Sequence, residues 1–195
     1  NDPRSEVIGI VSKPPAASVM EKIVASLKDC GKPVVACFLG ADSALIGGDN
    51  IVSASTLEDA ATFMVDLAQG KKVESCEFTV PVEQVESAVK EAVAGLQPSQ
   101  KYIRGLYSGG TLCSEAMLIL EKAVGGIYSN IALDKKYALP NVEESVENTL
   151  LDMGDDYFTD GMPHPMIDVR LRVERIKKEA ADPGTAVILL DCVLG

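Results

Sequence analysis

A chain of 195 residues with 47% hydrophobic content can bury a real core, as one domain or as two small ones. Its formal net charge of −11 argues against nucleic acid and against an anionic membrane surface as partners. Any phosphate would have to be held by backbone amides and helix N-termini, not by a basic patch.

The five cysteines, at positions 30, 37, 76, 113 and 192, are odd in number and form no CxxC pair. That spacing disfavours zinc and a disulfide framework and fits a reducing, cytoplasmic setting. No signal peptide and no membrane-spanning apolar run is present. The chain opens Asn1-Asp2-Pro3 without an initiator Met and stops directly behind a predicted strand, so it reads as a piece of a longer polypeptide.

Residues 7–11 are an apolar run suited to a buried strand, broken by Ser12-Lys13-Pro14-Pro15. Val19, Ile23 and Leu27, widened by Met20 and Val24, then predict an amphipathic helix ending near Lys28 and Gly31. Residues 34–39 form a second buried strand, and a strand–helix–strand of this length builds a parallel sheet. In the loop 41–55, Gly47-Gly48 is a weak phosphate-loop signal and Ile51-Val52 a third short strand. Thr56-Leu57-Glu58-Asp59 resembles a capping box opening a helix to about residue 69. Pro81 introduces another helix, with Val82, Val85, Val89, Val93 and Leu96 on its apolar face. Gln97-Pro98-Ser99-Gln100 reads as a linker, which divides the chain into 1–97 and 98–195.

The second half opens with a strand at 103–107, then the turn Ser108-Gly109-Gly110-Thr111 and a helix with Leu112, Ala116, Ile119, Leu120 and Ala123 on one face. A strand, a small-residue turn and a helix N-terminus make an anion site, because the first helical amides are unpaired. No Lys follows the glycines, so this is not a Walker A loop. The same glycines could serve close strand–helix packing. Residues 127–130 suit a short further strand and 134–148 are a polar connection; strand 150–153, a charged helix at 171–180 and a fully apolar strand at 186–194 complete a second parallel unit.

Between those last strands lies LLDMGDDYFTDGMPHPMIDVR, residues 150–170. Its loop is long for a strand–helix connection and holds Asp155, Asp156, Asp160, Asp168 and the only histidine, His164, between Pro163 and Pro165. A packing or capping role is the plain reading of a lone histidine. The density of acids, prolines and glycines favours chemistry, at the carboxyl ends of strands where parallel sheets bind ligands. Backbone amides at 109–111 would hold a phosphate-like oxyanion and His164 would donate to it or attack it. Asp168 would orient the imidazole, and Asp155 and Asp156 would hold Mg²⁺.

GLYSGGTLCSEAMLIL (105–120), the 150–168 block, VILLDCVLG (187–195), IGIVSKPP (8–15) and KPVVACFLG (32–40) together resemble the FdrA family, acyl-CoA synthetase-like relatives of succinyl-CoA synthetase. The resemblance covers essentially the whole chain. It implies an α/β fold of two flavodoxin-like lobes with mainly parallel sheets. The first is like the end of the synthetase α subunit, the second like the carboxyl-terminal domain of the β subunit. It also implies CoA bound through a preceding Rossmann domain that is not in these residues, with nucleotide or phosphate as co-substrate. Assembly would be with further copies or other ligase subunits. Succinyl-CoA synthetases phosphorylate a histidine in the loop corresponding to 41–55. That loop has none here, so the carrier role is lost or moved to His164. Met162 stands where the family typically carries a basic residue. The SGGT turn resembles the β-subunit helix aimed at the phosphohistidine, which implies a phosphate role for Ser108 to Thr111. Three functions follow: acid–thiol ligation through an acyl phosphate, carbamoyl transfer in ureide breakdown, or a non-catalytic assembly domain. The substrate would be a small carboxylate or carbamoyl compound.

Overall fold

The computed structural model describes residues 2–75 and 80–193, in two compact units, Asn1–Val80 and Pro81–Gly195. The division falls before the Pro81 helix, whereas the composition of the chain places the linker after it.

In the first unit, β1 (Ile8–Ser12), β2 (Val34–Phe38) and β3 (Ile51–Ser53) form a parallel sheet in that order. The central strand reads VVACF and every residue in it is buried, as a parallel strand covered on both faces requires. Val34, Ala36 and Phe38 meet Met20, Val24 and Leu27 of α1 (Ala17–Lys28). Val35 and Cys37 point to the other face, where α2 (Leu57–Ala68) lies against β1 and β2 and buries Ala60 and Phe63. Thr56 caps α2 as expected, its hydroxyl accepting from the Asp59 amide at 3.0 Å. The Asp59 side chain accepts from Ser75 instead of closing the capping box.

In the second unit the parallel order is β5 (Thr149–Asp152), β4 (Tyr102–Tyr107), β6 (Thr185–Leu190). The helices are α3 (Val82–Ala94), α4 (Gly110–Val124), the single turn α5 (Asp156–Thr159) and α6 (Arg170–Ala181). Cys113 and Met117 of α4 pack with Tyr107, Leu150 and Ile127 on one face of the sheet. Leu106, Leu151, Met153 and Phe158 meet Leu171 and Ile176 of α6 on the other. The α/β class with parallel sheets in both halves is what the sequence predicts.

Three local expectations are corrected. The buried stripe of α4 is centred on Cys113 and Met117, so Leu112 and Ile119 are exposed. Residues 127–130 form only isolated bridges, Tyr128 with Thr149 and Ser129 with Ala138, because the tight turn at 134–137 pulls the chain away. The apolar face of α3 is present but largely uncovered, with Val82, Val89 and Val93 exposed and Val85 half-buried. The strand expected over 186–194 ends at Leu190, and among the described residues this β6 is an outer strand, apolar after Thr185 yet exposed at Val187 and Leu190.

Behind the second sheet sits a buried ion network. Glu179 accepts from Arg104 Nε at 2.9 Å and Arg175 Nε at 2.6 Å, and Ser145 donates to it at 2.6 Å. Asp182 accepts from the Gly184 amide and from Arg104 Nη2, both at 2.8 Å, and the amide first and then the guanidinium lower its carboxyl below the usual range. These contacts tie β4, α6 and the 141–148 connection together.

Candidate active site

Parallel register sets Tyr107 beside Asp152 and Leu106 beside Leu190. The 108–111 turn, the 153–169 loop and residues 191–193 therefore all leave the second sheet at its carboxyl end.

Ser108 is buried, and both of its donors are taken. Its amide reaches Asp191 Oδ1 and Oδ2 at 2.9 and 3.0 Å, and its hydroxyl donates to Oδ2 at 2.8 Å. Ser108 is thus turned inward, which removes it from the set of oxyanion donors expected from the sequence. The Asp191 charge is matched by Arg172, whose Nη2 lies 2.6 Å from Oδ1 and 2.6 Å from the Asp191 carbonyl. Arg172 Nε also donates to the Leu106 carbonyl at 3.0 Å. Burial, reinforced by Cys113, Asp191 and Glu115, pushes the neighbouring Tyr107 phenol up to about 12, so it stays neutral.

Gly109 is the cap residue of α4, in extended backbone with no side-chain cap. A Cβ there would meet nothing within 4 Å, so packing does not demand this glycine. The packing glycine is Gly105, where a Cβ would come within 2.5 Å of Leu150. The amides at 110–112 open a 15-residue helix and have no partner within it.

His164 meets this turn through Gly154. A Cβ at Gly154 would stand 2.6 Å from the Ser108 carbonyl oxygen, 2.7 Å from His164 Nε2 and 3.2 Å from Asp152 Oδ1. The three polar atoms crowd around one glycine, and the imidazole is set against the start of the turn. His164 Nδ1 accepts from the Met166 amide at 3.2 Å, so in the neutral ring the proton sits on Nε2.

Asp168 does not serve the imidazole. Arg170, two residues on, grips it with Nε at 2.9 Å and Nη2 at 2.5 Å, and holds its carboxyl down to about 2. The acid beside His164 is Asp152, which also accepts from the Gly154 amide at 2.9 Å and whose backbone is clamped on both sides by Asn130. Asp155 caps α5 by accepting from the Tyr157 amide at 3.1 Å, and Asp156 faces solvent. Among the described residues no three His, Cys, Asp or Glu side chains gather as a metal site. Sequence reasoning missed Asp152 and Asp191. A shared signal was present, since β5 and β6 each run into Leu-Leu-Asp, which sets a carboxylate at the carboxyl end of the strand.

Residues 106–195 match the CoA-ligase family. The matched region starts inside β4 and takes in the glycine turn, His164, Arg172 and Asp191. Over all 195 residues the chain is also 43% identical to the protein named "Uncharacterized protein YahF" of Escherichia coli (strain K12), of which it covers 37%. The chain therefore spans little more than a third of the curated relative it matches. No helix among the described residues is long and apolar enough to cross a membrane.

Proposed function

We propose that this CoA-ligase-like region belongs to an FdrA-type acyl-CoA synthetase and binds the phosphoryl group of an acyl phosphate at the 109–111 turn. The observation that carries the reading is the uncapped start of α4 beside the His164 imidazole. A carboxylate oxygen takes the γ-phosphoryl group of a nucleoside triphosphate, releasing the diphosphate, and the mixed anhydride then loses phosphate when a thiolate attacks its carbonyl carbon. CoA, when bound, supplies that thiol. The amides of Gly109, Gly110 and Thr111 hold the phosphoryl oxygens, and the helix dipole favours the charge that collects there on phosphate release. His164 donates from Nε2 toward the same oxygens. Its proton occupies the nitrogen a nucleophile would need free, so His164 is a charge-stabilising donor and not a phosphate carrier. No step is assigned to Mg²⁺: of its expected ligands, Asp155 caps α5 and Asp156 faces solvent.

The test is a thermal-shift series on the chain with inorganic phosphate, acetyl phosphate, carbamoyl phosphate and oxamate, for wild type and His164→Asn. Phosphate and the acyl phosphates should raise Tm, and His164→Asn should weaken the response with little change in the ligand-free Tm. In the complete enzyme the same substitution should cost about 2–4 kcal/mol of barrier, the effect of removing one positioned donor. An acid-labile phosphoprotein that vanishes in His164→Asn would make the histidine a nucleophile and overturn the donor role. A stronger response to carbamoyl phosphate and oxamate would move the substrate to the carbamoyl class.

A second reading, an assembly domain retaining the ligase fold, is favoured by one observation. The loop around His164 exposes Met162, Met166, Ile167 and Val169, with Ile167 82% exposed. No response to any phosphate compound would favour it.

A further inference from the structure

We infer that Asp191, neutralised by Arg172, is the positioning residue of the glycine turn. It turns Ser108 inward so that the amides at 109–111, and not the serine, meet the ligand. This rests on the oxyanion reading above and adds to it a means by which an acidic protein keeps that turn receptive. Three elements converge on the carboxylate: the start of the turn through Ser108, the end of β6 through Asp191 itself, and α6 through Arg172. Asp191 accepts the Ser108 amide with both oxygens and the hydroxyl with one, which fixes the backbone that leads into Gly109. Arg172 spans the same gap, from the Leu106 carbonyl to Asp191, so it braces the strand before the turn as well. A bare carboxylate one residue from an anion site would repel the ligand. The guanidinium, which reaches one carboxylate oxygen through Nη2, cancels that charge and pairs it locally. Both side chains are nearly buried, 12% exposed for Arg172 and 5% for Asp191, so solvent screens the pair little.

The experiment is an amide-resolved NMR titration of the 195-residue chain with inorganic phosphate, for wild type, Asp191→Asn and Arg172→Gln. Wild type should show phosphate-dependent shifts at Gly109, Gly110 and Thr111 and none at Ser108, whose amide should exchange slowly. In Asp191→Asn the Ser108 amide should lose protection and the phosphate Kd should rise about tenfold, the scale of one charge-assisted hydrogen bond. Arg172→Gln keeps the serine contact but leaves the carboxylate uncompensated, so phosphate should weaken there while Ser108 stays protected. That variant decides the matter if Asp191→Asn does not fold. If phosphate moves no amide of the wild-type turn, the oxyanion reading falls and this inference with it. If phosphate binds equally well to wild type and to both variants, the oxyanion reading stands and the positioning role is overturned. A lower Tm with unchanged phosphate affinity in the folded fraction would make the pair merely structural.

Discussion

Gly154 is the residue on which the candidate site turns. It lets the Ser108 carbonyl, Asp152 and the imidazole crowd into space a methyl group would fill. Gly154→Ala should therefore cost about 1–3 kcal/mol, the range for overpacking a tight site, because one of the obstructing atoms is backbone and cannot rotate away. A urea melt checks this, and an unchanged midpoint would mean that the loop shifts freely. Asp168 gives a pH expectation. Its carboxyl is held at about 2 by the Arg170 side chain and amide, below the unfolded value of about 3.9. The contribution of the pair is complete above the unfolded value and fades as pH falls through the folded one. A side-chain carboxyl NMR titration should find Asp168 ionised near pH 3, where ordinary aspartates are largely protonated; a midpoint near 4 would show the pair to be open in solution. At this scale His164 and the glycine turn were legible, since unusual residues in an unusual loop stand out. The carboxylate that shares the space around Gly154 with the imidazole was not. Sequence distance pointed to Asp168, but Arg170 is nearer still, and Asp152 arrives from the end of β5.

At the level of elements, Glu179 joins α6 to β4 through buried Arg104 and is held along its own helix by Arg175. Glu179→Gln should destabilise the second unit by about 3–5 kcal/mol, the cost of leaving a buried charge without its partner. Denaturation monitored by tyrosine fluorescence would read it, and a loss below about 1 kcal/mol would show that water already reaches the network. This network was invisible in the sequence, where RLRVERIKKEA reads as a charged, solvated helix. The strands were legible because VVACF and LL-rich runs suit only a sheet buried on both faces. The face of α4 was displaced by one position because Cys113 and Met117 pack as well as leucine, and Leu112 lies too near the open turn to be covered. In α3 the stripe of valines gives the apolar face that the sequence predicts, yet Val82, Val89 and Val93 are all more than half exposed. Periodicity reports that a face is apolar, not that anything in the same chain covers it.

For the molecule as a whole, the family match and the parallel sheets agree with the sequence reading of a ligase-type fold. The chain by itself should bind CoA weakly or not at all, since its proposed phosphate contacts are amides at one turn. Calorimetry giving a submicromolar Kd would show that this region holds the cofactor without help. Another consequence lies in β6, an apolar outer strand that carries half-exposed side chains in a molecule of net charge −11. Its outer edge, paired with no strand among the described residues, can template pairing with another molecule, and at low salt mutual repulsion opposes that approach. Raising sodium chloride from about 0.1 M to 1 M shortens the screening length from about 10 Å to about 3 Å and removes the opposition. Light scattering should then climb with salt for wild type and stay flat for Val187→Lys, which puts a charge in the middle of the strand. A salt response identical in the two proteins would place the sticky surface elsewhere. For wild type, colloidal behaviour would be governed by the ionic strength of the buffer more than by the stability of the fold.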